Sequence, residues 1–237
     1  REGDWSVTAV VELLSDEAGG GLRERLVDLL PRIVFEDEPL WGIAVDIGTT
    51  TVSLWLVDLL TGEVKAQVAE YNGQISRGED VISRIMYSGK EGGLADIQKR
   101  VLDTINSLVI SACQHAHANP KELVKATIAG NSTMIHLLLG IPAHNIRLAP
   151  FITTVNHPPH IRAFEIGLDI CSEASVDCLP GVASYVGADI TAGVYSNGMY
   201  KSEQLTLFID VGTNGEIVLG NREWLVTCAC SAGPAFE

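Results

Sequence analysis

Basic residues are scarce in this sequence: 16 Lys and Arg stand against 30 Asp and Glu, for a formal net charge of −14 over 237 residues. A surface so acidic repels nucleic acid and anionic lipid at a distance, so neither nucleic acid nor membrane is expected as a partner. The same shortage means that a phosphate ligand has no basic patch to rest on. Backbone N–H groups and a metal ion would have to hold it. Long apolar runs are missing as well. None approaches the roughly 20 residues a membrane-spanning helix requires, and Leu54-Trp55-Leu56-Val57 is cut at once by Asp58. No basic, small-residue-cleaved leader opens the sequence. The five cysteines (Cys113, Cys171, Cys178, Cys228 and Cys230) follow neither ferredoxin nor zinc-knuckle spacing. Their odd number points to reduced thiols and a cytoplasmic location. Cys228 and Cys230 share one side of an expected strand and read as buried strand residues. His115, His117, His157 and His160 have no acidic or thiol neighbour in sequence and read as solvated loop or helix-end side chains.

What is present is the composition of a folded α/β protein, 46% hydrophobic and 19% charged, which is the balance of a globular core with a solvated surface. Residues 5–13 alternate as a strand does. Gly19-Gly20-Gly21 breaks the chain, and 22–30 has helical spacing that Pro31 ends. Glu36-Asp37-Glu38-Pro39 reads as a boundary, so residues 1–40 are expected to be the end of a preceding middle domain, a short α+β remnant with its linker. A strand over 41–47 then runs through a tight turn into a second strand, 52–60. Thr61-Gly62 turns into a third, 64–70. Helical spacing covers 80–88 and 94–117 and stops at Asn119-Pro120. A short strand is expected over 126–129, after which Gly130-Asn131-Ser132-Thr133 opens a helix reaching Leu139. The stretch 141–176 reads mostly as loop, with a strand near 166–170. Gly187-Ala188-Asp189 opens a helix over 188–200, and strands over 205–210, 215–219 and 223–228 follow.

The last of these repeats the first. Ala44-Val45-Asp46-Ile47-Gly48-Thr49 returns as Phe208-Ile209-Asp210-Val211-Gly212-Thr213, and internal repeats of this kind indicate a duplicated architecture. In each copy an apolar strand delivers an Asp at its end. The Gly two positions on lets the backbone turn sharply without a Cβ in the way. Hydroxyls and successive backbone N–H groups then shape a concavity suited to anions. A carboxylate beside phosphate makes sense with Mg²⁺ between them, held through water. Two such turns facing one another could grip a polyphosphate from both sides, and positioning with charge stabilisation supplies most of phosphoryl-transfer catalysis.

Here the chain resembles the superfamily of acetate and sugar kinases, Hsp70 and actin, over roughly 41–237. Asp46-Ile47-Gly48-Thr49-Thr50-Thr51 and Asp210-Val211-Gly212-Thr213-Asn214-Gly215-Glu216 match its two phosphate motifs, and Ala188-Asp189-Ile190-Thr191-Ala192-Gly193 its first connecting segment. Four strings are similar to one family within it, the reductive activators of corrinoid proteins. These are Val45 to Val52, Ala129-Gly130-Asn131-Ser132-Thr133-Met134, Ile209 to Glu216, and Cys230 to Glu237. The resemblance implies a duplicated actin/Hsp70-like (ribonuclease H-like) α/β ATPase fold, with 41–203 as its first subdomain and connecting helix. Residues 204–237 would start a truncated second subdomain. It also implies ATP and Mg²⁺ as cofactors, a corrinoid protein as partner, and a homodimer. ATP hydrolysis would drive reduction of the partner's cobalt(II) to cobalt(I). The [2Fe-2S] electron carrier is expected in an N-terminal domain absent from this chain, and the adenosine motif beyond residue 237.

The candidate catalytic residues are Asp46, Asp189 and Asp210, with Asp46 and Asp210 also expected to hold Mg²⁺ through water. The resemblance gives Asp189 a part in orienting the attacking water. The candidate nucleotide contacts are Gly48, Thr49, Thr50, Gly130, Asn131, Gly212, Thr213, Asn214 and Gly215. Plainer readings stand beside these. Asp46 and Asp210 could be turn carboxylates satisfied by N–H groups, and Asp189 and Asn131 could be helix caps. The threonines could be simple strand formers, and Glu216 could face the cleft or solvent. A small-molecule kinase of the same fold, or a partner-docking module that has lost hydrolysis, remains open as an alternative function, since fold alone does not separate them.

Overall fold

A hairpin comes first. In a computed structural model of the chain, which describes residues 8–15, 22–30, 39–212 and 214–230, β1 (Thr8–Ser15) pairs antiparallel with β2 (Leu22–Leu30). This corrects the helical reading of 22–30. A helix of that length is marginal without packing of its own, whereas β1 offers a partner strand along the whole segment, from Thr8 opposite Leu30 to Ser15 opposite Leu22.

The main sheet follows from burial with a period of two. β3 (Trp41–Ile47), β4 (Thr51–Asp58) and β5 (Glu63–Tyr71) form an antiparallel meander, with Val52, Leu54, Leu56 and Asp58 on the inward side of β4. Two helices follow. Asp80 and Ser83 exchange hydrogen bonds in a capping box that starts α1 (Val81–Ser88). α2 (Gly93–Ala116) is 24 residues long, about 36 Å at 1.5 Å per residue. It buries Ile97, Val101, Ile105, Leu108 and Ala112 as one stripe, packs on β4 and β5, and ends at a left-handed His117. Neither α2 nor any other described helix is long and apolar enough to cross a membrane. β6 (Leu123–Gly130) returns parallel to β3 and leads into α3 (Ser132–Leu138).

The expected loop of 141–176 holds more structure than its composition suggests. β7 (Ile161–Arg162) and α4 (Ala163–Ile166) precede β8 (Ser175–Cys178), giving a six-stranded sheet in the order β5-β4-β3-β6-β8-β7. The strand expected near 166–170 is absent. Gly167 and Leu168 both donate to the Ala163 carbonyl, at 3.1 and 3.0 Å, so those residues close the turn of α4. Leu168 and Ile170 are buried there in the core without joining the sheet. The strand belongs to Ser175–Cys178, which lies parallel to β6.

α5 (Ala188–Asn197) carries the chain to a second sheet, β9 (Thr206–Val211), β10 (Gly215–Gly220) and β11 (Leu225–Cys230), antiparallel in the order β11-β10-β9. A small core of Val186, Ile190, Met199 and Val218, with Val194 and Phe208 against it, joins α5 to that sheet. A Cβ at Gly193 would lie 2.5 Å from the Phe208 ring, so only glycine lets β9 come this close. α5 also packs on β6, and therefore touches both sheets. Cys228 and Cys230 are exposed on the outer strand β11, which corrects the expectation of buried thiols. His160, expected to be solvated and unpartnered, is exposed but bonds through Nδ1 to the Asp177 carboxylate at 2.9 Å. That carboxylate also pairs with Lys125.

Candidate functional site

β3 carries Ile43, Val45 and Ile47 inward and ends where Gly48 turns the chain. The Gly48 N–H donates to the Thr51 carbonyl at 2.9 Å, and a Cβ on Gly48 would stand 2.6 Å from that oxygen. The other carbonyls of the turn are held from the protein side. Asn72 Nδ2 donates to the Gly48 carbonyl at 2.9 Å, and the Asn72 backbone N–H to Thr50 at 2.8 Å. Arg84 Nη2 donates to Thr49 at 2.5 Å. Neither Asn72 nor Arg84 was singled out by the sequence reading.

The parallel neighbour β6 ends beside this turn. Asn131 caps α3 by accepting from the Met134 N–H at 3.0 Å, while its Nδ2 reaches Thr49 Oγ1 at 3.4 Å. Gly187, just before α5, presses on the same corner: a Cβ there would lie 2.4 Å from Asn131 Cα. This contact brings the first turn of α5, with Asp189, next to Asn131. Asp189 Oδ1 accepts from the adjoining Ile190 N–H at 2.9 Å.

From the second sheet, Asp210 on β9 stands directly opposite Glu216 on β10, just as Asp46 stands opposite Ser53 in the first hairpin. Period-two geometry puts opposed residues on one face, so Glu216 turns to the same side as Asp210. The two hairpins differ in their loops: 48–51 separates the paired Ile47 and Val52, and the shorter 212–214 separates Val211 and Gly215.

These pieces line one cleft of about 280 Å³. Asp46, Gly48, Thr49, Thr50, Thr51 and Ser53 come from the first hairpin. Asn131 and Asp189 come from the β6 and α5 corners, and Asp210, Gly212, Asn214 and Glu216 from the second hairpin. Asp46 and Asp210 thus face a common cavity. Gly130 and Gly215 stand behind the lining: Gly130 is packed on the Ile47 carbonyl, and Gly215 is buried between Val211 and Cys230. Thr213 lies outside the described residues, as does the segment 231–237 that carries most of the last family-like string. Thr51, Ser53 and Glu216 are additions to the candidate set. Glu216 was readable in principle, because a three-residue loop after Val211 places it across from Asp210.

Burial and neighbouring negative charge disfavour ionisation of three carboxyls in this cleft. Burial, then the charges of Asp189 and Asp210, push the Asp46 carboxyl from 3.8 up to about 6. Burial, with the same two neighbours, pushes Glu216 from 4.5 up to about 7. Asp189 is raised chiefly by burial and further by Asp210. A site of this kind is completed by positive charge. Among the described residues no three or more His, Cys, Asp or Glu side chains are grouped to hold a metal ion directly. The carboxylate and hydroxyl oxygens that the two hairpins bring to the cleft are donors of the type a hard cation takes through its water shell, and the described cysteines do not fit an iron–sulfur cluster. Two further cavities adjoin the cleft. One of about 440 Å³ shares Asn131, Asn214 and Glu216 with it and extends past Asp80, Ser184 and Tyr185. Another of about 350 Å³ shares Asp46, Asp189 and Asp210 and is walled by Trp55 and Leu179.

Two family models match the chain. The one described as RACo middle region covers residues 41–202, and the C-terminal domain of RACo, the ASKHA domain, covers 204–237. The corrinoid activation enzyme RamQ of Eubacterium limosum is 35% identical over 215 residues, which is 90% of this chain and 36% of that protein. The [Co(II) methylated amine-specific corrinoid protein] reductase of Methanosarcina barkeri is 23% identical over 84% of this chain and 37% of its own. A solved reductive activator for corrinoid, iron-sulfur protein superposes with a TM-score of 0.84 at 45% identity, over 90% of this chain and 34% of that one. The chain thus spans about a third of the length of these relatives.

Proposed function

Because the chain belongs to the RACo family, we propose that it supplies the phosphate-gripping cleft of an ATP-driven reductive activator of a corrinoid protein. The observation that carries this reading is the convergence of both Asp-x-Gly turns and Asp189 on one cleft. Donors of the Gly48–Thr51 turn and the Asn131 amide hold the nucleotide's phosphates from one side, and the Gly212–Asn214 turn from the other. Mg²⁺, bound with the nucleotide and held through water by Asp46 and Asp210, supplies charge to offset both the phosphates and the carboxylates. Asp189 orients the attacking water. Asp46 or Glu216, both lining the cleft, takes its proton. ATP and water become ADP and phosphate. The closure and reopening of the cleft alter the docked partner, whose cobalt(II) takes one electron to become cobalt(I). The electron carrier belongs to a domain outside this chain.

A second reading, phosphoryl transfer to a small acceptor, draws on the 440 Å³ cavity beside Glu216. Both are tested on the full-length protein by ATP turnover with and without a corrinoid protein and a reductant, with cobalt(I) followed by its absorption. Stimulated turnover with cobalt(I) formation supports the activator reading. Turnover unaffected by the corrinoid protein, with no cobalt(I), sinks it, and phosphate recovered on a small acceptor favours the kinase. Mg-ATP bound without turnover points to a docking module.

A further inference from the structure

A turn presents N–H groups to an anion only if its carbonyl oxygens are directed elsewhere. In Gly48–Thr51 each carbonyl has a donor: Asn72 takes Gly48 and Thr50, Arg84 takes Thr49, and Gly48 itself takes Thr51. Asn72 is only 1% exposed and spends its remaining side-chain oxygen on the Gln74 N–H at 3.0 Å, which fixes its amide orientation.

Arg84 is the less ordinary of the two. It is 0% exposed and, among the described residues, is bonded to no carboxylate. Its Nε donates to the Gly78 carbonyl at 2.9 Å and its Nη1 to Gln74 Oε1 at 3.3 Å. Nη1 also lies 3.4 Å from the Met134 sulfur, a weak acceptor. Burial lowers its pKa to about 10, against a smaller opposing pull from Asp80, so the guanidinium remains charged at neutral pH. A buried cation with no carboxylate bonded to it is costly, and an apolar side chain of similar length would ordinarily serve packing better. Here the cation sits directly behind the turn that faces four carboxylates.

We propose that Asn72 and Arg84 are positioning residues for nucleotide phosphate: together they turn the Gly48–Thr51 carbonyls away from the cleft, and Arg84 adds a buried positive charge behind the turn. The inference rests on the reading of the cleft as a nucleotide site. It deepens that reading by naming what presets the first hairpin.

The test uses the full-length protein with Mg²⁺, comparing dissociation constants for ATP and adenosine alongside the thermal midpoint. Arg84→Met is expected to weaken ATP on the order of tenfold or more, the scale of losing an outer-shell partner that orients a binding group, while adenosine changes less than about twofold. Arg84→Lys, which keeps the charge, is expected to recover part of the loss. Asn72→Asp keeps the acceptor for Gln74 but removes the donor to Gly48, and is expected to weaken ATP selectively as well. It also keeps the proposal open to refutation should Arg84→Met fail to fold. Equal losses for ATP and adenosine, or ATP affinity unchanged in the folded variants, would overturn the proposal and leave Arg84 a packing residue. Wild-type protein that binds no ATP would instead refute the nucleotide reading beneath it.

Discussion

Glu216 offers the sharpest test of the carboxylate cluster, through the substitution Glu216→Gln. The glutamine keeps the shape, the strand pairing with Asp210 and a polar tip in the cleft, and removes only the charge. Raising a carboxyl from 4.5 to about 7 means that the folded state disfavours the ionised form. At 1.36 kcal/mol per pH unit the ceiling is about 3 kcal/mol. Glu216 is half-buried and opens on cleft water, so screening brings the expected gain down to about 1 kcal/mol. The sign follows from linkage. An acid whose folded pKa lies above its unfolded one costs nothing below pH 4.5, and the cost grows through pH 5–7 and is complete above pH 7. Glu216→Gln should therefore match wild type at pH 4.5 and exceed it at pH 8, by about 2–4 °C in thermal midpoint for a domain of this size. The measurement is thermal unfolding of nucleotide-free, metal-free protein across that pH range. A variant that is equally or less stable at pH 8, or one stabilised to the same extent at pH 4.5, would refute the claim that the cluster strains the apo fold.

Three further outcomes follow from the geometry. Ile47→Ala, at a fully buried position directly before the Gly48 turn, should destabilise by about 2–5 kcal/mol in denaturant titrations. Asn131→Ser keeps a capping oxygen for α3 without adding charge but loses the amide that reaches Thr49, so stability should stay within about 0.5 kcal/mol of wild type while ATP affinity falls. Asn131→Ala should in addition lose about 1 kcal/mol of stability, which separates the two roles. His136, fully buried, uses Nδ1 on the Ser132 carbonyl and accepts the Thr154 and Val155 N–H groups at Nε2, at 3.0 and 3.3 Å. Burial holds its pKa below 6.5, so its contribution is complete above that value and fades as pH falls further. Hydrogen exchange at Thr154 and Val155 should accelerate in acid, and exchange there that is insensitive to pH beyond the intrinsic rate would contradict this arrangement.

The duplicated hairpins were legible because their signal is local: an apolar strand, an Asp at its end and a Gly two residues on suffice to propose each turn, and one cleft holds both. The Asn131 corner and the α5 start were readable for the same reason. What escaped depends on packing across long sequence distances. Residues 22–30 satisfied a helical spacing until a partner strand was available. Leu168 and Ile170 alternate like a strand yet lie in the bend that follows a short helix. Arg84 looked like an ordinary charged residue on α1, and nothing near it in sequence announces that its guanidinium lies under Thr49. Cys228 and Cys230 sit on an outer strand, where neighbouring residues give no indication of which face is covered.

α5 is wedged between the two sheets, with Gly187 seated on the β6 corner and Gly193 on Phe208. If α5 stays packed on β6, a swing of the second sheet turns about this wedge, and displacement grows with distance from it. Asp189, in the helix's first turn, would hardly travel, whereas Asp210 and Glu216, borne by the moving sheet, would sweep toward or away from the Gly48 bend. The molecule would thus keep one carboxylate as a stationary reference and alter the spacing of the others around it.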